Sequence, residues 1–269
     1  MTEDKAGPLV GARLDDEGIL TLTLNRPRSF NALSMAMIAA LREAFGAAFA
    51  DPAVRVIVLA AEGRGFCGGH DLKELHAHRA DPDGGRNFYI ELFDRCSHLM
   101  MAMTMGPKVI IARVQGVATA AGGQLVASCD MAVASDAARF GVNGISSGLF
   151  CSTPMVAVSR AIGRKKAMEL LTTGRLMEAA EALEAGLINA MSAPGELEEK
   201  TRAMARMVAE KSAAVVALGK QAFYRQAEMN LADAYAYTRG VIMENLMMHD
   251  SEEGICAFVE KRQPKWTDS

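Results

Sequence analysis

Several features are scarce in this chain, and their scarcity argues against whole classes of protein. The 269 residues include a single tryptophan and five well-separated cysteines without a Cys-x-x-Cys pair, namely Cys67, Cys96, Cys129, Cys151 and Cys256. This spacing favours neither a zinc cage nor a disulfide framework. His76 and His78 are two apart and would face different sides of a helix. We therefore expect buried thiols and no metal site.

Long runs of basic residues and long runs of apolar residues are also missing. The net charge is -3 and the sequence pI is near 6.0, so nucleic acid is not an expected partner. No stretch of about 18 uncharged apolar residues could span a bilayer. Met1 to Gly7 is polar and lacks the basic and apolar parts of an export signal. The sequence thus predicts a cytoplasmic protein with neither a nucleic-acid nor a membrane partner.

The residues that are present alternate between strand and helix patterns. Val10–Leu14 and Gly18–Leu24 predict a hairpin, and Ser34 predicts the cap of a helix that ends near Ala50. Buried parallel strands are predicted at 54–60, 108–114 and 130–134, and helices at 87–105 and 154–162. This order predicts an α/β fold with binding loops at the carboxyl ends of parallel strands. After Gly174 the pattern is helical almost to the end.

Two glycine-rich segments each follow a predicted strand and open a helix. They are 63–75, GRGFCGGHDLKEL, and 116–123, GVATAAGG. Glycine and alanine let the backbone approach a ligand closely, and two such turns can direct two N–H groups at one oxygen. The alternative is that small residues only allow strand and helix to pack closely.

Together these segments resemble the enoyl-CoA hydratase/isomerase family, the crotonases, over nearly the whole chain. The resemblance rests on Leu24–Pro27 with 31–33, on 65–72, on 116–130, on Phe140–Gly141, and on 171–175 with 185–188. It implies a spiral of repeated β-β-α units with an acyl-CoA site in residues 1–200. It also implies a helical trimerisation region in residues 201–269, and a homotrimer or a hexamer of two trimers.

The resemblance further implies an acyl-CoA thioester ligand of fatty acyl-CoA metabolism, with coenzyme A as part of the substrate and no separate cofactor. Backbone N–H groups of His70 and Ala121 would bind the thioester oxygen and stabilise an enolate. A titrating His70 imidazole is the alternative role for that residue. The positions implied to bind substrate or coenzyme A are Arg28, Ala32, Phe66, Gly68, His70, Asp71, Leu72, Lys73, Ala121, Gly122, Phe258 and Lys261.

Two positions depart from the family pattern. Hydratases of this family carry two glutamates that activate a water, and the matching positions here are Gln124 and Gly144. An amide cannot take a proton from water at neutral pH, and glycine has no side chain. Each lost acid or base should cost on the order of 100- to 10,000-fold in rate, so efficient hydration is not expected.

Glu74, Glu91, Asn143 and Cys151 are the candidates to replace the missing glutamates, and a structural role is expected for each. Asp71 and Asp130 match positions that hold turns. The leading hypothesis is an enzyme, a lyase or isomerase, that stabilises a thioester enolate. A non-catalytic acyl-CoA-binding protein is the alternative.

A remote alternative comes from another class. Residues 144–148 fit the G-x-S-x-G pattern of serine hydrolases, with Ser146 as nucleophile and His249 with Asp233 or Asp250 as nominal partners. Such an elbow requires a strand directly before the serine and a helix directly after it. The loop-like sequence on both sides does not predict either.

Overall fold

The computed structural model describes residues 7–269, so most of the polar N-terminal segment considered above lies outside the described residues. The strands are β1 (Val10–Leu14), β2 (Ile19–Leu24), β3 (Val56–Ala61), β4 (Gly65–Cys67), β5 (Val109–Val114), β6 (Val117–Thr119), β7 (Met131–Ser135), β8 (Arg139–Gly141), β9 (Met177–Glu178) and β10 (Ala190–Ser192). The helices are α1 (Met35–Ala50), α2 (Leu72–Ala77), α3 (Arg86–Met105), α4 (Ala121–Ala127), α5 (Pro154–Ala161), α6 (Arg164–Thr173), α7 (Ala179–Glu184), α8 (Leu197–Ala209), α9 (Ala213–Gln226), α10 (Leu231–Leu246) and α11 (His249–Glu260). Between residues 7 and 269, no helix is long and apolar enough to cross a membrane.

The larger sheet has six strands in the order β1-β2-β3-β5-β7-β10. Its first two strands form the predicted antiparallel hairpin, with Val10 opposite Leu24 and Leu14 opposite Leu20. All other neighbours in this sheet are parallel. The β-branched runs that predicted buried parallel strands therefore lie where they were expected.

A second, four-stranded sheet has the order β4-β6-β8-β9. Its first three strands are short and parallel, and β9 pairs with β8 antiparallel. Each of β3, β5 and β7 leads directly into the next short strand, β4, β6 and β8, and a helical segment follows. This repeat confirms the α/β spiral of β-β-α units that the family resemblance implied.

The side chains on the two faces of the larger sheet are buried in two different hydrophobic cores. Ile57 and Leu59 belong to the main hydrophobic core, which also contains α1, α3 and α4 side chains. Val56 and Val58 point to the opposite face and pack with Leu197 and other residues of α8. The two-residue period of a strand explains this division, and burial on both faces stabilises the sheet.

The region after Gly174 is mainly helical but not wholly so, which corrects the prediction from composition. It contributes β9 to the second sheet and β10 to the edge of the larger sheet, where Ala190 pairs with Val133. Strands of two or three residues are too short to show an alternating pattern. The predicted boundary between residues 200 and 201 falls within α8, and the division into two regions stays a prediction.

A buried ion pair ties α9 to the spiral. Lys220 Nζ donates to Asp130 Oδ2 at 2.7 Å and to the carbonyl oxygens of Met103 and Lys108 at 2.8 and 2.7 Å. Asp130 also accepts from the Tyr224 hydroxyl at 2.9 Å and from the Ile110 N–H at 2.7 Å. Burial raises the pKa of Asp130 and lowers that of Lys220, while each charge stabilises the other. Asp130 thus joins β5 to α9, which is a structural role.

We predict that Lys220→Met destabilises the protein by about 3–5 kcal/mol, because it leaves a buried carboxylate without its counter-charge. The control is Glu228→Gln, which breaks the exposed Arg160–Glu228 pair and should cost at most about 1 kcal/mol. Urea unfolding of both variants measures the difference. Equal losses in the two variants would contradict the role given to the buried pair.

Candidate functional site

The two glycine-rich turns lie against each other where β4 and β6 end. Gly69 has φ +93°, and a Cβ atom added there would lie 2.8 Å from the Cβ of Ala120 and 3.2 Å from the N atom of Ala121. A Cβ added to Gly122 would overlap the carbonyl oxygen of Cys67. Side chains at these glycines would separate the turns, so close packing accounts for them. The packing places Gly69, the residue before His70, beside the N atom of Ala121. The role of His70 and Ala121 as a pair of donors stays a prediction.

A strained residue sets the direction of one candidate donor. Ala120 has φ 51° and ψ -122°, a conformation that costs an alanine on the order of 1–3 kcal/mol. Its own N–H donates to the Gly141 carbonyl oxygen at 3.0 Å. The ψ angle of Ala120 orients the peptide that carries the Ala121 N–H. Because Ala121 is the first residue of α4, that N–H has no partner within the helix.

The first glycine-rich turn is fixed by Asn31, which lies in a segment of the family resemblance but was given no role from the sequence. Asn31 is fully buried and has φ 51°. Its Nδ2 atom lies 3.0, 3.2 and 3.0 Å from the carbonyl oxygens of Glu62, Gly65 and Phe66. The one signal in the sequence is an asparagine in a turn, a residue that tolerates left-handed conformations.

Gln115, which lies between β5 and β6, also holds the first glycine-rich turn. Its Nε2 atom lies 3.0, 3.0 and 3.1 Å from the carbonyl oxygens of Ala61, Gly63 and Gly65. These contacts join residues about 50 positions apart in the chain. No local pattern could have indicated them.

The His70 side chain is held below the turn instead of titrating at a solvent-exposed opening. Its Nδ1 atom lies 3.1 Å from the Leu33 carbonyl oxygen, and its ring meets Phe93 edge-on with 5.1 Å between centroids. Burial lowers the pKa of the imidazole, opposed in part by the bond to Leu33. Burial thus favours the neutral ring, which argues against the alternative of a titrating base.

Neither position of the missing glutamates offers a carboxylate. Gln124 is 4% exposed, and its Oε1 atom has no hydrogen-bond partner among the described residues. Gly144 starts a tightly closed loop in which its N–H donates to Cys151 Sγ at 3.3 Å. A Cβ at Gly144 would lie 2.5 Å from the Leu149 carbonyl oxygen and 2.7 Å from Cys151 Sγ. The loop thus has no room for a side chain at this position.

Glu74 and Glu91, the carboxylates considered as substitutes, and Asp71, expected to hold a turn, all have structural partners. Glu74 Oε2 accepts from the Met35 N–H at 3.0 Å and so caps α1. Glu91 forms an exposed ion pair with Arg95 at 2.6 Å, one helical turn away. Asp71 caps α2 by accepting from the N–H groups of residues 73 and 74. These contacts agree with the structural roles expected for them.

The two candidates in the loop after β8, Asn143 and Cys151, also have structural environments. Asn143 Oδ1 accepts from the Thr119 hydroxyl, which joins β6 to the loop after β8. Burial raises the pKa of the Cys151 thiol, which disfavours the nucleophilic thiolate.

Among the described residues, no group of three or more His, Cys, Asp or Glu side chains could hold a metal ion.

The positions implied to bind coenzyme A differ in what they expose. Arg28, Gly68 and Lys73 are exposed, Ala32 is half-buried, and Leu72 is 57% exposed. Phe66 is fully buried, so only its backbone could face a ligand. Phe258, 85% exposed, and Lys261 lie at the end of α11. Their role in closing a pocket stays a prediction.

The hydrolase pattern lacks its required setting. Ser146 lies in a 3-10 helix at Asn143–Ser147, separated from β8 and well before α5 begins at Pro154. Asp250 accepts from the N–H groups of Thr267 and Asp268, at 2.7 and 2.9 Å, and holds the C-terminal segment. Asp233 lies in the first turn of α10. The nominal partners therefore have structural positions of their own.

The fold and site define a class: a β-β-α spiral in which two glycine-rich turns pack against each other, with the buried polar side chains of His70 and Gln124 on the adjoining residues. A model of the enoyl-CoA hydratase/isomerase family matches residues 15–269. The chain belongs to this family.

Individual relatives agree over nearly their full lengths. A crystal structure of an enoyl-CoA hydratase from Mycobacterium smegmatis is 51% identical, with a TM-score of 0.92 over 97% of this chain and 99% of that one. The human enoyl-CoA hydratase domain-containing protein 3 structure is 44% identical, with a TM-score of 0.90 over 96% of this chain and 100% of that one. The Xenopus laevis protein of that name is 46% identical over 254 residues, which are 94% of this chain and 85% of that protein.

The relatives contradict the predicted cytoplasmic location. The frog, rat and human proteins are each named "Enoyl-CoA hydratase domain-containing protein 3, mitochondrial". The cytoplasmic prediction was therefore wrong. It rested on composition and the polar first residues, which do not identify a compartment by themselves.

We predict that Gly144→Ala destabilises the protein by about 1–3 kcal/mol, because the added methyl group overpacks the closed loop. Gly46→Ala is the matched control: nothing lies within 4 Å of its added Cβ in α1. That change should stabilise the helix by about 0.5–1 kcal/mol. Thermal unfolding compares the two variants, and an unchanged melting temperature in Gly144→Ala would show that the loop can admit a side chain.

Proposed function

We propose that this protein is an acyl-CoA enzyme, a lyase or isomerase, that stabilises a thioester enolate between the backbone N–H groups of His70 and Ala121. The observation that carries the proposal is the contact between the two turns. Each donor directly follows a residue with positive φ, at +93° for Gly69 and 51° for Ala120. Gly69 adopts its angle freely, whereas Ala120 is strained, and backbone strain kept at a turn supports a functional role in positioning.

Charge development explains why such donors would accelerate a reaction. When a base from the solvent, such as hydroxide, takes the proton from the carbon beside a thioester, the electron pair of the broken C–H bond forms the enolate and its negative charge lies on the thioester oxygen. Two fixed N–H groups at that oxygen stabilise the charge without reorganising, and one such donor typically contributes roughly 3–4 kcal/mol. The side chains at the two positions matter little for this contribution.

Hydration of a 2-enoyl thioester is expected to be inefficient. Gln124 supplies an amide where a water-activating carboxylate would be needed, and Gly144 lies in a loop that admits no side chain. A water held by Gln124 would lack a group to receive its proton at neutral pH. The proposal therefore separates enolate stabilisation from water addition.

The second candidate function is acyl-CoA binding without turnover. It is favoured by the same absence of a carboxylate at residues 124 and 144. Under either function we propose a homotrimer or a hexamer of two trimers. Support comes from large apolar side chains that are exposed at the end of α10 and on α11, among them Met247 at 82%, Phe258 at 85% and Val259 at 73%.

We predict that Ala121→Pro slows hydrogen exchange at C2 of butyryl-CoA in heavy water by about 100- to 1,000-fold, since it removes one oxyanion donor. Proline lacks the N–H, and its fixed φ suits the first position of a helix. Leu231→Pro, at the exposed first position of α10, is the control and should keep the wild-type rate. An unchanged rate in Ala121→Pro would refute the assignment of this donor.

A further inference from the structure

Helix α11 is held by contacts other than those of the two hydrophobic cores. Among the described residues, neither core contains a side chain from α11. The buried residues of α11 are Asp250 and Ala257, whereas Phe258 and Val259 are 85% and 73% exposed. A helix of 12 residues is marginal in water unless it packs against the rest of a protein, so contacts of another kind must hold α11.

The strap, residues 262–269, supplies these contacts by running back to the start of α11. The Asp250 carboxylate accepts from the N–H groups of Thr267 and Asp268 at 2.7 and 2.9 Å. Burial alone would raise the pKa of Asp250, but hydrogen bonds from Ser212, Thr267 and Asp268 lower it to about 2. The carboxylate is therefore charged at neutral pH, and hydrogen bonds to a charged acceptor are stronger than those between neutral groups.

The strap also binds the junction between α8 and α9. Trp266 Nε1 donates to the Glu210 carbonyl oxygen at 2.9 Å. The Asp268 carboxylate accepts from the Ala213 N–H at 2.6 Å and from Arg55 Nη1 at 2.8 Å. Arg55 directly precedes β3 and thus belongs to the spiral. Polar contacts of the strap therefore join α11 to the rest of the molecule.

We propose that the strap is a conformational lock that holds α11 against the α8–α9 junction, and that its opening releases α11 as a unit while the spiral stays folded. Regions with few buried apolar contacts open at a lower free energy than the whole protein unfolds. Met247 and Met248 connect α10 to α11 and form a short hinge for this motion. Phe258 and Lys261, the residues implied to close the acyl-CoA pocket, move with α11.

Hydrogen exchange of Asp250→Asn, followed by mass spectrometry at neutral pH without acyl-CoA, tests the proposal. The amide places a donor against one of the two N–H groups that the carboxylate binds, so we expect exchange in residues 249–260 to become about 10- to 100-fold faster. Exchange in α3 should keep the wild-type rate. Glu252→Gln, at an exposed carboxylate in the same helical turn, is the control and should stay within about threefold of the wild type.

Two results of this experiment would overturn the proposal. Unchanged exchange of α11 in Asp250→Asn would show that the strap does not hold the helix. Equal acceleration in α11 and α3 would show that α11 opens only when the whole protein unfolds. Because no thioester is present, neither result depends on the proposed function.

The wild-type protein provides a second test that does not require the variant to fold. Trp266 is the only tryptophan of the chain, so intrinsic tryptophan fluorescence reports on the strap alone. We expect its emission to shift to longer wavelength at a lower urea concentration than the loss of helical signal in far-ultraviolet circular dichroism. Coincident transitions would overturn the proposal, because the strap and the spiral would then unfold as one unit.

Discussion

The close contact between two glycine-rich turns is the constraint on which the rest of the site depends. Gly69 lies against Ala120, and Gly122 lies directly over the Cys67 carbonyl oxygen. A methyl group at either glycine would push the turns apart. The separation between the His70 and Ala121 peptides is thus fixed by van der Waals contact between main chains, which is stiffer than any arrangement of side chains.

The surrounding fold keeps that contact in place. The parallel pairing of β4 with β6 and of β6 with β8 fixes the positions of the turns that follow these strands. Asn31 and Gln115 donate hydrogen bonds to carbonyl oxygens of the first glycine-rich turn. These interactions stabilise a backbone conformation at Ala120 that would be unfavourable in isolation. Strain at one residue is tolerated because the packing of two sheets determines its conformation.

The sequence predicted the elements whose patterns are long, and it missed those whose cause is non-local. The hairpin, the parallel strands and α1 to α3 follow from runs of five or more residues and from caps such as Ser34. The strands β4, β6, β9 and β10 have two or three residues and are formed by their neighbours. Family resemblance located Gln124 and Gly144, but only the structure explains why residue 144 has no space for a carboxylate.

The most direct measurement is mass spectrometry of crotonyl-CoA and butyryl-CoA after incubation with the wild-type protein in heavy water. If the two turns stabilise an enolate, a solvent base removes the C2 proton and butyryl-CoA gains deuterium there. Because no carboxylate activates water, crotonyl-CoA gains no water. Rapid addition of heavy water to crotonyl-CoA would contradict the account, because it would require a base that neither Gln124 nor Gly144 supplies. Absence of deuterium in butyryl-CoA would contradict the enolate role itself and leave acyl-CoA binding without turnover.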